Sequence, residues 1–245
     1  MRGRSTEIRA DPETRMDRTS ATRELALRSP AENAASAAGE SGAPTPSETR
    51  TATFGMGCFW GPDARFGAVE GVVRTRVGYA GGTTADPTYH SLGDHTEVVQ
   101  IEYDPEKLAY DDLLDAFWSN HAWNSSARKR QYRGVVLAHD DEQYEAAQRR
   151  RDELAERTGE TVATDVERLD EFYLAEDYHQ KYELRSTPVV GDELAELYGD
   201  AFVDSTIAAR LNGFVAGHGD PERRDALLAD LDLPPTVIDE LRRRF

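Results

Sequence analysis

The run Gly57-Cys58-Phe59-Trp60-Gly61 places the single cysteine of the chain between two glycines and beside two large aromatics. The spacing of the preceding residues predicts a strand over 51–57, with Ala52, Phe54 and Met56 on one face, and a helix opening at Cys58 and reaching about Glu70. A cysteine at a strand-to-helix junction meets the unpaired N–H groups and partial positive charge of the helix mouth, which favour the thiolate and lower the thiol pKa. Gly57 and Gly61 let the backbone turn sharply there. The chemistry within reach is nucleophilic attack by sulfur. A lone cysteine is nevertheless more often an inert, buried small hydrophobe. Phe59 and Trp60 serve as ordinary core as readily as they wall an apolar cage. With one cysteine the chain makes no internal disulfide and no cysteine-based zinc site, so redox turnover would draw its second thiol from another molecule.

The elements that must position this motif follow from periodicity. Val73, Thr75, Val77 and Tyr79 alternate with Arg74, Arg76 and Gly78, which is strand spacing, and the Gly-rich loop Gly78-Tyr-Ala-Gly-Gly82 follows. Residues 96–103 alternate again, with Glu97 on the same side as the apolar Val99, Ile101 and Tyr103. Tyr110, Leu113, Leu114, Phe117, Trp118 and His121 repeat at three and four, a helix stripe. Tyr132 to His139 reads as a strand, and a charged helix runs from about Asp140 to Thr158, stopped by Gly159. The order strand-helix-strand, strand-helix-strand is that of a split βαβ plait, an α+β two-layer sandwich with two helices on one face of a sheet. Residues 187–245 read as several short helices, a C-terminal extension. Residues 1–50 hold no aromatic residue, their eight arginines and eight acids cancel, and they read as a disordered tail. Met16 is an alternative start. The expected division is therefore 1–50, 51–186 and 187–245.

Composition excludes several classes. Forty-six acidic residues against 29 basic ones give a formal charge of −17, and only Lys107, Lys129 and Lys181 are lysines. Such a chain lacks the basic footprint of a nucleic-acid binder. Its self-repulsion suits a salt-rich cytoplasm or an ordinary acidic protein. No apolar run approaches the ~20 residues of a membrane helix, and no apolar stretch follows Arg2 and Arg4 to make a secretory signal, so a cytoplasmic protein is expected. No His and carboxylate cluster has metal-ligand spacing; His90, Asp94 and His95 read as loop residues. Arg128, Lys129, Arg130 and Arg133 form a basic island, read first as a solvated loop pairing with nearby acids.

Taken together, Gly57–Gly61 with Asp63 after it, Gly78-Tyr-Ala-Gly-Gly82, Pro87-Thr-Tyr89, His95-Thr-Glu97, Gln131-Tyr132-Arg133 and Ala175-Glu-Asp-Tyr-His-Gln-Lys181 resemble peptide methionine sulfoxide reductase A. The resemblance covers roughly residues 51–184 in the family's order. It implies a plait-like α+β fold and reduction of methionine-S-sulfoxide, in oxidised proteins or as the free amino acid. It places the nucleophile at Cys58, the aromatics that hold the substrate methyl at Phe59 and Trp60, the acid at Glu97 and two hydrogen-bonding tyrosines at Tyr89 and Tyr132. A sulfoxide is a poor electrophile until its oxygen is protonated or strongly hydrogen-bonded. A carboxyl on the apolar face of its strand has a raised pKa and stays protonated to donate that proton. His95, two residues before Glu97, is expected on the same face in a supporting role or none, and His179 in a structural hydrogen bond.

The chain also departs from the family pattern. The stretch between Tyr89 and Glu97 is about four residues short, the acid before Gln131 is replaced by Ser126-Ala-Arg-Lys-Arg130, Asp63 stands where glutamate is usual, and the resolving cysteines are absent. The resemblance implies no bound cofactor, and the missing resolving cysteines imply an external reductant: a small thiol, thioredoxin or glutaredoxin. Residues 203–213 resemble an extension of a short-loop subgroup. The competing readings are a sulfoxide-binding or redox-sensing protein without catalysis and a thiol peroxidase.

Overall fold

The computed structural model describes residues 49–231 and 233–244. Nearly all of the expected N-terminal tail lies outside them. Strand β1 (Arg50–Met56) is buried through Ala52, Thr53, Phe54 and Gly55. It runs antiparallel to β3 (Thr96–Tyr103), with Phe54 opposite Val99, and to β4 (Gly134–Ala138), with Phe54 opposite Val136. Strand β2 (Val72–Ala80) pairs antiparallel with the other side of β3, which sets Tyr79 opposite Glu97. Two short edge strands complete the sheet: β5 (Asp165–Arg168), parallel to β4, and β6 (Phe172–Leu174), antiparallel to β2. The order across the six-stranded mixed sheet is β5-β4-β1-β3-β2-β6.

One face of the sheet carries Ala52, Phe54, Val99, Ile101, Tyr103 and Val136. Against it pack Phe66 of α1 (Trp60–Gly67), Leu113, Leu114 and Phe117 of α2 (Tyr110–Ser119), and Ala146 and Ala147 of α3 (Asp141–Thr158). Phe54 stacks on Phe117 with ring centroids 4.9 Å apart. The layer therefore contains three helices, one more than the expected pair. Helix α3 starts and stops as its sequence predicts: Asp140 accepts from the Gln143 N–H, and Gly159 closes the helix at φ 68°. The opposite face, with Ala80, Val98, Val135 and Leu137, is covered by Leu169 and Phe172 from the β5–β6 segment.

Several boundaries differ from expectation. Helix α1 begins at Trp60, so Cys58 and Phe59 belong to the turn before it, and it ends at Gly67 rather than about Glu70. Gly57 needs its left-handed φ of 91° to make that turn. Gly61 does not: it lies inside α1, and a Cβ there would meet nothing within 4 Å. Tyr132 is not part of β4 but ends a single 3₁₀ turn over Arg130–Tyr132.

The C-terminal residues form α4 (Tyr182–Arg185), α5 (Val190–Tyr198), α6 (Thr206–Val215), α7 (Pro221–Asp230) and α8 (Pro235–Arg243). Their core joins Leu184, Leu194, Phe202, Leu211, Val237 and Leu241. Among the described residues no helix is long and apolar enough to cross a membrane.

Candidate active site

Cys58 is exposed, on the turn between β1 and α1. Its neighbour Phe59 is buried, and the Phe59 N–H donates to Glu97 Oε2 at 3.2 Å. The other carboxyl oxygen, Oε1, accepts from the Gln131 side-chain amide at 2.7 Å. Glu97 is thus fixed from both sides while only 1% of it is exposed. Burial raises its pKa above the ordinary carboxylate value, and the Gln131 and Phe59 donors only partly oppose that.

The thiol departs from the expectation of a lowered pKa. Protein backs the sulfur on one side, and this desolvation raises the Cys58 pKa. The Trp60 N–H at the helix mouth pulls it down, as expected of that position, but the negative fields of Glu97 and Glu183 add to the upward shift. The helix contribution is present and outweighed. Tyr132 lies in the same electrostatic cluster: desolvation first, then Glu97, Tyr89 and Cys58, hold its hydroxyl proton on. Cys58, Glu97, Tyr89 and Tyr132, distant along the chain, are therefore brought together.

Aromatic rings cluster around the residues that follow Cys58. Phe59 packs in a cluster with Val77, Tyr79 and Ala175, against which Trp60 and Tyr89 also rest. His179 sits among three of these rings, 5.1 Å from Phe59, 5.8 Å from Trp60 and 4.8 Å from Tyr89 between centroids. Its Nδ1 accepts from Trp60 Nε1 at 3.1 Å, the structural hydrogen bond expected of it. Trp60 is held on its other side by Tyr182, stacked at 3.6 Å and within 3° of parallel. Glu176 fixes the Tyr89 segment, accepting from the Tyr89 N–H at 3.0 Å and from the Tyr79 hydroxyl at 2.7 Å.

Beneath the site, Asp63 and Lys181 are both fully buried and paired at 3.2 Å. Asp63 also accepts from Thr75 Oγ1 at 2.5 Å and from the Lys181 N–H at 3.0 Å, and Lys181 Nζ donates to the Thr75 carbonyl at 2.6 Å. The two ends of the motif pattern, Asp63 and Lys181, thereby lock α1 to the segment that carries His179 and Tyr182.

His95 stands apart from Glu97. It precedes β3, accepts at Nδ1 from the Gly82 N–H at 3.2 Å and donates from Nε2 to the Thr84 carbonyl at 2.7 Å, so both nitrogens brace the Gly82–Thr84 loop. The basic island is also divided. Arg133 is buried and pairs with Asp165 and Glu167, whereas Arg130 donates to the Asp94 and Gly81 carbonyls. Among the described residues no cluster of His, Cys, Asp or Glu has the makings of a metal site. Sequence reasoning left Gln131 and Tyr182 without a role, although both lie within or beside a motif it singled out; their side-chain partners, Glu97 and Trp60, are far away in sequence.

The model of the family described as peptide methionine sulfoxide reductase matches residues 50–197. A Drosophila melanogaster protein named peptide methionine sulfoxide reductase is 44% identical over 188 residues, 76% of each chain. Among solved structures, Mxr1 from Saccharomyces cerevisiae in reduced form is 28% identical with a TM-score of 0.55, covering 58% of this chain and 88% of that one. Methionine sulfoxide reductase A of Corynebacterium diphtheriae is 31% identical with a TM-score of 0.52, covering 57% of this chain and 76% of that one. On the matched residues and these likenesses, the chain belongs to the peptide methionine sulfoxide reductase family.

Proposed function

We propose that this protein reduces methionine-S-sulfoxide to methionine with Cys58 as nucleophile and Glu97 as acid. Thiol-dependent reduction of methionine sulfoxide is the activity of the family to which it belongs; the residue roles rest on the arrangement described above. The observation that carries the reading is Glu97, buried, tied to the N–H of the residue next to Cys58, and raised in pKa. A carboxyl so placed is protonated in the pH range where exposed glutamates are not, and donates to the sulfoxide oxygen. Tyr89 and Tyr132 hydrogen-bond the same oxygen, and Phe59 and Trp60 hold the substrate methyl.

The step balances on these groups. The Cys58 sulfur bonds to the sulfoxide sulfur while the oxygen takes up a proton; the hydroxyl then passes to the Cys58 sulfur as the S–O bond to the substrate and the transient S–S bond both break, so that methionine leaves with its lone pair restored and Cys58 is left as sulfenic acid. An external thiol condenses with the sulfenic acid to a mixed disulfide, releasing water, and a second thiol restores Cys58. With one cysteine in the chain, that reductant is a small thiol, thioredoxin or glutaredoxin. Dependence on external thiol suits a reducing compartment such as the cytoplasm, and the activity would serve repair of oxidised proteins.

The same reading treats the four inner strands, in order β4-β1-β3-β2, as a split βαβ plait. It assigns residues 51–186 to the catalytic unit and 187–245 to the extension. The experiment is an assay of separate S and R sulfoxide epimers with dithiothreitol. Turnover of the S epimer alone, abolished by Cys58→Ser, is expected. Retained turnover in that variant, or peroxide consumption without sulfoxide turnover, refutes the reading.

A further inference from the structure

The extension reaches the buried ion pair beneath the site. Helices α1 and α6 cross so closely that each meets the other through a glycine. A Cβ at Gly67 would collide with the Ala209 carbonyl, and one at Gly213 with the Ala64 carbonyl. Beside this crossing lies Asn212, fully buried. Its Nδ2 donates to Asp63 Oδ2 at 3.2 Å, and its Oδ1 accepts from the Leu184 N–H at 3.0 Å. Asp63 stands in the first turn of α1, the helix that Trp60 opens, and Leu184 stands in α4, the helix that Tyr182 opens. One amide thus joins the two elements whose first residues, Trp60 and Tyr182, stack at 3.6 Å.

We infer that Asn212 is a positioning residue for substrate binding: through Asp63 and Leu184 it fixes α1 against α4 and so sets the Trp60 wall of the pocket. This rests on the reading of Trp60 as the wall that holds the substrate methyl. The residue type fits the task, because a carboxamide donates and accepts at once and carries no charge. An aspartate would set a second carboxylate against Asp63. A leucine would leave the Leu184 N–H without its acceptor and Asp63 short of a donor, both buried.

The test is steady-state kinetics of Asn212→Ala on a neutral, blocked methionine sulfoxide. The KM is expected to rise about fivefold to tenfold, the scale of one net buried hydrogen bond, with kcat within about twofold of wild type. A purely structural role would lower the folded fraction, which reduces kcat and leaves KM alone. Alkylation of Cys58 by iodoacetamide, expected at the wild-type rate, checks that the nucleophile is intact. Tyr182→Leu removes the stack from above, and its KM effect should be non-additive with that of Asn212→Ala. If the alanine variant is insoluble, Asn212→Ser carries the same comparison.

An unchanged KM in the Asn212 variant, whatever kcat does, overturns the inference. Trp60→Leu separates the two levels. A raised KM in Trp60→Leu with an unchanged KM in Asn212→Ala sinks the inference alone. An unchanged KM in Trp60→Leu sinks the reading of the wall on which it rests.

Discussion

The charge of Glu97 bears on the Cys58 thiol. Each carries a pKa above its ordinary value, and the Glu97 charge is one reason the thiol does. A proton on Glu97 removes that repulsion and therefore favours the thiolate. Replacing Glu97 by Gln removes the carboxylate's repulsion and should lower the midpoint at which iodoacetamide alkylates Cys58. An unmoved midpoint would mean that the two groups do not sense each other. The same variant lacks the proposed proton donor, and its kcat/KM should fall by about 10²–10⁴-fold, the usual worth of a general acid.

This pair was legible in part. Gly57-Cys58-Phe59-Trp60-Gly61 is contiguous, and the alternation of 96–103 puts Glu97 on the buried face without any long-range knowledge. The sign of the thiol shift is not legible in the sequence, because it depends on the burial of the sulfur and on the distant charges of Glu97 and Glu183. Nor was the Trp60 environment: His179 and Tyr182 approach it from more than a hundred residues away, and local periodicity carries no information on such contacts.

At the level of elements, the Asp63–Lys181 pair joins α1 to the segment that carries His179 and Tyr182. Desolvation lowers the Lys181 pKa, and Asp63 opposes that shift. Removing one partner of a fully buried pair leaves an uncompensated charge. Asp63→Ala should destabilise the protein by about 3–5 kcal/mol in urea unfolding, whereas the double change Asp63→Leu and Lys181→Met should cost far less. Equal losses in the two variants would argue that packing, not charge, dominates there. The glycine crossing of α1 and α6 gives a second expectation. Gly213→Ala should lower stability by about 1–3 kcal/mol through overpacking.

Element type follows from periodicity for β1, β2, β3 and α2, and from a charged run closed by Gly159 for α3. The edge strands β5 and β6 escaped because four and three residues are too few to show a period. The continuous apolar run after Tyr132 extends the strand expected from the sequence back to that residue. Its place is a 3₁₀ turn that brings Gln131 onto Glu97 and Tyr132 beside Tyr89.

For the whole molecule, the excess of 46 acids over 29 bases opposes compaction through like-charge repulsion. Salt shortens the range of that repulsion, with a Debye length of about 10 Å at 0.1 M and about 3 Å at 1 M. Thermal unfolding should accordingly move to higher temperature between those concentrations of sodium chloride. A Tm that falls instead would mean that the ion pairs, such as Arg50 with Asp140 and Glu142, outweigh the net repulsion.

The covalent route is open to a single direct observation. Reduced enzyme mixed with excess S-sulfoxide and no added thiol should release a single equivalent of methionine per chain. It should stop there with Cys58 as sulfenic acid, trapped by dimedone at that residue. Continued release without thiol, or release by the Cys58→Ser variant, would contradict it.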